Sequence, residues 1–264
     1  MKKFLVIGNP IEHSLSPLLH NYWIKKKNIN AIYEKKKINE EQINNIILDV
    51  RNEKIKGVNV TVPFKKKVIP FLDALTPVAN KTQSVNTIYK DKDQIIGHNT
   101  DVGGFELALK HISFDLKNKK IFILGAGGVV SSLILALKKL EVSLIYISNR
   151  TKKKSVDLKK IFPGLKVIDW GEFPNFDMII NATSLGLKST DEIKIDYQKI
   201  GFNKLFYDII YNPGKTNFLL NAEKNNHNIE NGKMMFIYQA HQAFTLWNNI
   251  VPEIDLETIK LIDK

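Results

Sequence analysis

Two series of short apolar runs, with helical stretches between them, govern what this chain can fold into. The first series runs through FLVIG, AIYEKK and GVNVTV, with helices expected from SPLLHNYWIKKK and over NEEQINNIILDVRN. After Pro63 a helical stretch is expected to about Leu72, and SVNTIYKDKDQIIGHNTD then reads as an antiparallel hairpin turning at KDKD. The second series begins at KKIFILGAGGVV and continues through LIYISN, KVID, DMIINAT and LFYDIIY, again with helices expected between the strands. GKMMFIYQAHQAFTLWNNI reads as one long helix. Alternation of strand and helix buries its apolar surface as a mostly parallel sheet covered by helices, so the expected class is α/β. The best boundary between the two series lies near Gly103 and Gly104, where a helix would bridge them.

A length of 264 residues favours two domains, and 44% hydrophobic residues are enough for a substantial core. The net charge of +12 raises the question of an acidic partner, but only Arg51 and Arg150 are arginines. The remaining positive charge is lysine spread along the chain, a weak footprint for base or phosphate readout, so nucleic acid is not expected as a partner. The absence of cysteine excludes disulfides, thiolate nucleophiles and zinc-thiolate sites. The apolar run of MKKFLVIGNPIEHS stops at Gly8, Asn9 and Pro10, too soon for a secretory signal, and no stretch approaches a membrane span. A soluble, cytoplasmic protein without membrane contact is expected.

ILGAGG is a buried-type strand running into glycines and then a helix, the start of a Rossmann-type doubly wound unit. Gly125 and Gly127 provide a tight turn and close backbone approach for a pyrophosphate at a helix N-terminus. Val130 stands where a third glycine would complete the dinucleotide fingerprint. One strand later, where an NAD enzyme offers a carboxylate to the ribose hydroxyls, the chain has neutral Asn149 followed by Arg150, Thr151 and Lys154. A carboxylate would repel a 2′-phosphate and these groups would hold one, so the cofactor expected is NADP.

In GNPIEHSLSPLLHN, Ser16 is positioned to cap a helix with Pro17 first inside it, which leaves Ser14 unexplained. His13 and His20 lack a third ligand, and no metal site is expected. Taken with NVTVPFK, VNT, GHNTD, GAGG, NRT, NATSLG, DIIYNP and GKMMFIYQA, this serine motif closely resembles the shikimate dehydrogenase family. The motifs stand in the family's order from Ser14 to Gln239. The resemblance implies reversible, NADPH-dependent reduction of 3-dehydroshikimate to shikimate, on the pathway to chorismate and the aromatic amino acids.

It also implies roles. Ser14 and Ser16 would bind the shikimate carboxylate, Asn59, Thr61, Asn86 and Asp101 the ring hydroxyls, and Tyr211 and Gln239 would reach the substrate as well. Lys65, first of the three lysines in NVTVPFKKK, falls on the family's catalytic lysine, and with Asp101 it would form a dyad. Gly125, Ala126, Gly127, Gly128 and Val129 would form the pyrophosphate turn. Asn149, Arg150, Thr151, Lys152, Lys153 and Lys154 would surround the 2′-phosphate, with Thr183, Ile209 and Gly232 at the nicotinamide half. Residues 1–103, completed by returning C-terminal helices within 233–264, would form the substrate domain, and 104–232 the NADP domain. The protein would be a monomer or a homodimer.

The chemistry agrees with these roles on its own terms. Hydride transfer to a carbonyl leaves an alkoxide that needs a proton donor within reach, and a lysine just past the C-terminal end of a parallel strand points into the crevice where such sheets bind ligands. Departures from the family pattern are VVSS at the start of the cofactor helix, Pro77 in place of an acidic residue, and serine in SVNT. None touches the dyad. The alternatives are an enzyme of the same superfamily acting on quinate as well as shikimate, and a non-catalytic paralogue.

Overall fold

The computed structural model describes residues 1–112 and 114–263. The chain forms two compact units, Met1–Gly104 together with Ile237–Asp263, and Phe105–Phe236.

The first unit contains β1 (Lys2–Gly8), α1 (Ser16–Lys26), β2 (Ala31–Lys37), α2 (Ile43–Arg51), β3 (Gly57–Val60), β4 (Ala74–Leu75), α3 (Pro77–Thr82), β5 (Thr87–Asp91) and β6 (Gln94–His98). Its sheet has the order β2-β1-β3-β5-β6-β4. β2, β1 and β3 run parallel, whereas β5 is antiparallel to both β3 and β6. Alternation along the strands sends Leu5, Ile7, Val58 and Val60 into a core with Ile43, Ile46, Ile47 and Val50 of α2. Phe4 faces the other way and stacks on Trp247 at 5.1 Å, and a Cβ on Gly57 would come within 2.4 Å of that indole.

The helix expected after Pro63 does not form. That segment is a series of turns ending in a 3₁₀ turn at Ile69–Phe71. Phe64 and Val68 are buried four residues apart, which imitates a helical face, but Pro70 has no N–H to donate and disfavours α geometry at Ile69. The first turn of the helix expected over residues 39–52 is likewise 3₁₀ (Glu40–Gln42), and α2 begins at Ile43.

α4 (Asp101–His111) carries the chain across the unit boundary. The second unit follows with β7 (Lys120–Leu124), α5 (Val130–Lys139), β8 (Leu144–Ser148), α6 (Lys152–Ile161), β9 (Lys166–Val167), β10 (Met178–Asn181), β11 (Leu205–Asp208), α7 (Asn217–Lys224) and β12 (Asn228–Glu230). Its sheet order, β12-β11-β10-β7-β8-β9, is parallel throughout. Strand order therefore reverses between β7 and β10, the switch point where doubly wound sheets open a crevice beyond the strand ends. Between β9 and β10 and between β10 and β11, the described residues form no α-helix, contrary to expectation. Gly171, Gly186 and Gly201 there take positive φ, which a helix does not accommodate.

α8 (Lys233–Asn248) returns to the first unit, which α9 (Leu256–Lys260) ends. Among the described residues no helix is long and apolar enough to cross a membrane.

Candidate active site

β3 ends at Val60, and the turns after it are tied down by backbone bonds from Thr61 to Ile7 (2.9 Å) and from Phe64 to Thr61 (2.9 Å). With Phe64 and Val68 in the core, Lys65 is fixed between them, and its carbonyl accepts from the Val85 amide at 2.8 Å. The three lysines then part company. Lys65 is 9% exposed and its Nζ lies 2.7 Å from Asp101 Oδ2. Lys66 is in solvent, and Lys67 makes a surface pair with Glu40.

Asp101 opens α4, where the helix dipole favours an anion. Asn99 Oδ1 accepts from the amides of Asp101 (3.0 Å) and Val102 (3.3 Å), a capping pattern, and its Nδ2 donates to the Ser84 carbonyl at 2.8 Å. Asp101 Oδ1 accepts from Asn86 Nδ2 at 2.8 Å. Taking two charges out of water is recovered by their attraction only when further hydrogen bonds hold them, so a buried pair of this kind is weak evidence for stability and points instead to chemistry.

Asn86 is the hub. Its Nδ2 also donates to Thr100 Oγ1 (2.9 Å), and its Oδ1 accepts from the Thr100 amide (2.8 Å) and Thr87 Oγ1 (3.0 Å). Asn59 joins from β3, donating to the Asn86 carbonyl (3.0 Å) and Thr87 Oγ1 (3.1 Å) and accepting from the Tyr33 hydroxyl (2.7 Å). Thr61 is half-buried beside Gly8. Gln239 lies half-buried on α8 in the same unit.

The expectation that Ser16 caps α1 is corrected. Ser16 is the first helical residue, Leu15 holds the cap position without a side-chain bond, and Ser14 Oγ accepts the Ser16 amide at 3.3 Å. Pro17 is then the second helical residue, in the first turn where an N–H would have no intrahelical partner and its absence costs nothing. The Ser16 hydroxyl is left without a hydrogen-bond partner among the described residues although the residue is buried. His13 is exposed, whereas His20 is fully buried and its pKa falls to about 3 through loss of solvent.

In the second unit, Gly125 follows β7 at φ +112°, and a Cβ there would sit 2.5 Å from the Ala182 carbonyl beyond β10. That glycine is required by the fold. Gly127 differs, because a Cβ there would meet nothing within 4 Å, so packing within the fold does not require a glycine. Ala126, Gly128 and Val129 complete the turn into α5. Gly232 is pressed against Ile209, whose carbonyl lies 2.1 Å from where a Cβ would be. The Thr183 hydroxyl donates to Asn181 Oδ1 (2.7 Å), and Asn181 Nδ2 donates to Asp208 at 3.1 Å. Burial pushes the Asp208 carboxyl up to about 6, against the pull of its bonds from Thr216, Ile210 and Asn181. Tyr211 stacks on Phe236 at 4.4 Å. It belongs to the second unit, whereas the other expected substrate residues belong to the first.

At the end of β8, Asn149 Nδ2 donates to the Thr151 carbonyl, and Arg150 is exposed with no ion pair among the described residues. α6 begins with Lys152, Lys153 and Lys154 and has no acidic residue in its first turn. Three cations at the positive end of a helix oppose the dipole, and among the described residues only Lys152 is offset, by Asp169 at 2.5 Å. An anion bound there would relieve the repulsion of like charges. The residues present thus fit a dinucleotide carrying an extra phosphate.

Sequence reasoning missed Tyr33, Thr87, Asn99, Thr100, Asn181 and Asp208. All but Tyr33 stand inside motifs already quoted, VNT, GHNTD, NATSLG and DIIYNP, and could have been found there. Tyr33 carried no signal, since contacts across strands are not legible in spacing.

Residues 6–88 match the family described as shikimate dehydrogenase substrate binding domain, and residues 106–195 match shikimate / quinate 5-dehydrogenase. A shikimate dehydrogenase (NADP(+)) of Pelagibacter ubique is 61% identical over 262 residues, covering 99% of each chain. Among solved structures, shikimate dehydrogenase from Aquifex aeolicus superposes with a TM-score of 0.90 at 35% identity, covering 99% of this chain and 97% of that one. Shikimate 5-dehydrogenase from Thermus thermophilus, solved with NADP(H) and shikimate, gives 0.89 at 28% identity, covering 100% and 98%. With identity of this order along nearly its whole length, the chain belongs to the shikimate dehydrogenase family.

Proposed function

We propose that the protein is an NADP-dependent shikimate dehydrogenase, catalysing the reversible reduction of 3-dehydroshikimate to shikimate in the cytoplasm. The observation that carries the reading is the buried Lys65–Asp101 pair held by Asn86. NADPH, when bound, supplies the hydride. The first unit takes the substrate and the second the cofactor.

In this reading Lys65 gives a proton to the substrate oxygen as negative charge develops on it, and in the reverse direction the same dyad takes the proton from the hydroxyl. Asp101 keeps Lys65 aimed, and Asn86 keeps Asp101 from rotating. Ser14 and Ser16 donate to the carboxylate, Asn59 and Thr61 take ring hydroxyls, and Gln239 completes the grip. Arg150 with Asn149 and the start of α6 holds the 2′-phosphate.

The test is absorbance at the reduced nicotinamide band with shikimate or quinate against NADP or NAD in all four combinations. Turnover of shikimate with NADP is expected to dominate. Quinate carries an extra hydroxyl on the carbon bearing the carboxylate, where the serines offer no planned partner. A buried polar group left unpaired costs about 1–3 kcal/mol, so shikimate is expected to lead by at least about tenfold in kcat/KM. Equal turnover of quinate would replace the reading with the dual-substrate one.

Arg150→Ala is expected to weaken NADP by about tenfold or more, the loss of a charge-assisted contact, while leaving the weak use of NAD unchanged. A wild-type protein that uses NAD as well as NADP would overturn the assignment of Arg150.

A further inference from the structure

His20 and Tyr33 have no part in the roles above, yet they are among the most deeply buried side chains of the first unit, at 1% exposure each. Their rings lie face to face, 4.1 Å between centroids and 8° from parallel. Trp23 meets the edge of His20, and Trp247 lies against both rings, so the phenol of Tyr33 has little freedom to turn. Burial keeps His20 neutral, and its Nε2 has no hydrogen-bond partner. It acts as a flat plate. The Tyr33 hydroxyl, held by that plate, donates to Asn59 Oδ1 at 2.7 Å.

An asparagine amide can turn over, exchanging its donor end for its acceptor end, and only its partners decide which way it points. Both Nδ2 hydrogens of Asn59 are committed, to the Asn86 carbonyl and to Thr87 Oγ1. Its Oδ1 receives one hydrogen bond and has a second lone pair. With the amide fixed this way Asn59 offers a ligand an acceptor and no donor.

We propose that Tyr33, clamped by His20, is a positioning residue that fixes the Asn59 amide so that it accepts from a substrate hydroxyl. The inference rests on the reading of the site as a shikimate dehydrogenase. It gives the buried stack a task in substrate recognition, where a merely structural stack would need neither the phenol oxygen nor its alignment with Asn59. Without that hydroxyl the Asn86 carbonyl still draws Nδ2 to its side, but nothing holds the Oδ1 end, and the acceptor loses its alignment with the substrate hydroxyl.

The test is a cycle of Tyr33→Phe, Asn59→Ala and the double variant, with steady-state kinetics in shikimate and NADP and a melting curve for each. Tyr33→Phe removes one oxygen and leaves the ring stack. It is expected to raise KM for shikimate about five- to tenfold, the range for one hydrogen bond, with kcat within about twofold and KM for NADP unchanged. In the Asn59→Ala background the same change is expected to move KM for shikimate by less than about twofold, because nothing is left to orient. His20→Ala, which loosens the plate, is expected to follow the same pattern and serves as the second variant if Tyr33→Phe does not fold. An unchanged KM in Tyr33→Phe, or an equal effect in both backgrounds, overturns the inference while leaving the dehydrogenase reading intact. A wild-type protein that does not turn over shikimate overturns both.

Discussion

Lys65→Ala is expected to lower kcat by at least about a hundredfold, the lower end for loss of a general acid–base group, with KM for shikimate changed far less. The same substitution strands Asp101 in a buried position, 7% exposed at its side chain and bonded to Asn86, without its cation. Breaking a buried pair from one side typically destabilises by about 3–5 kcal/mol, so the rate must be taken per folded molecule and a melting curve recorded beside it. Lys66→Ala and Lys67→Ala supply the control that composition alone could not. Both side chains are in solvent, and the Lys67–Glu40 pair is of the exposed kind worth no more than about 1 kcal/mol. Both variants are expected to be near neutral in rate and stability. Equal losses at all three positions would show that the run acts through bulk charge.

The second large effect is expected at Gly125→Ala. Its φ of +112° is a conformation that side chains rarely adopt, and the added methyl would lie 2.5 Å from the Ala182 carbonyl oxygen. The neighbour is backbone in the turn after β10, and Gly125 is itself tied by its amide to the Ser148 carbonyl at 2.7 Å, so neither side can yield cheaply. A loss of about 3 kcal/mol or more in the stability of the second unit is expected, visible as an earlier melting transition. Gly127→Ala separates the fold from the ligand. No atom lies within 4 Å of the added Cβ, so melting should be unchanged while NADP binding weakens, because the methyl occupies the approach to the turn. A Gly125→Ala protein as stable as wild type would discredit the steric reading. Full NADP affinity in Gly127→Ala would discredit the pyrophosphate assignment.

What was legible in the sequence followed from burial with a regular period. β7 reads as a strand because Ile121, Phe122, Ile123 and Leu124 are all buried, as a central strand covered on both faces must be. α5 is apolar nearly all round because every residue from Val130 to Leu137 is buried. The Lys65–Asp101 contact was reached through the family resemblance of the motifs that carry the two residues, since neither period nor spacing pairs them. Periodicity misled after Pro63, where Phe64 and Val68 are spaced as on a helix but Pro70 forbids one. Residue type misled at Ser16, where a residue suited to capping became the first residue of the helix and passed the weak cap contact to Ser14. The partners of Asn59 and Asn86 were out of reach for another reason. They are set by register, Asn59 opposite Thr87 and Thr87 opposite His98, and a sequence does not announce which strand residues will face each other.

The boundary between the two units cuts α4 at Gly104 and α8 at Phe236, so the second unit is an insertion within the first. Trp247, which stacks on Phe4 and fills the space beside Gly57, is added to the chain only after the whole of the inserted unit has been synthesised. Until then the face of β1 and β3 that will receive it stays uncovered, whereas every strand of the inserted sheet is available before α8 begins. Synthesis from the N-terminus therefore finishes the inserted unit first and leaves the one that starts the chain to close last, with its longest-range contact.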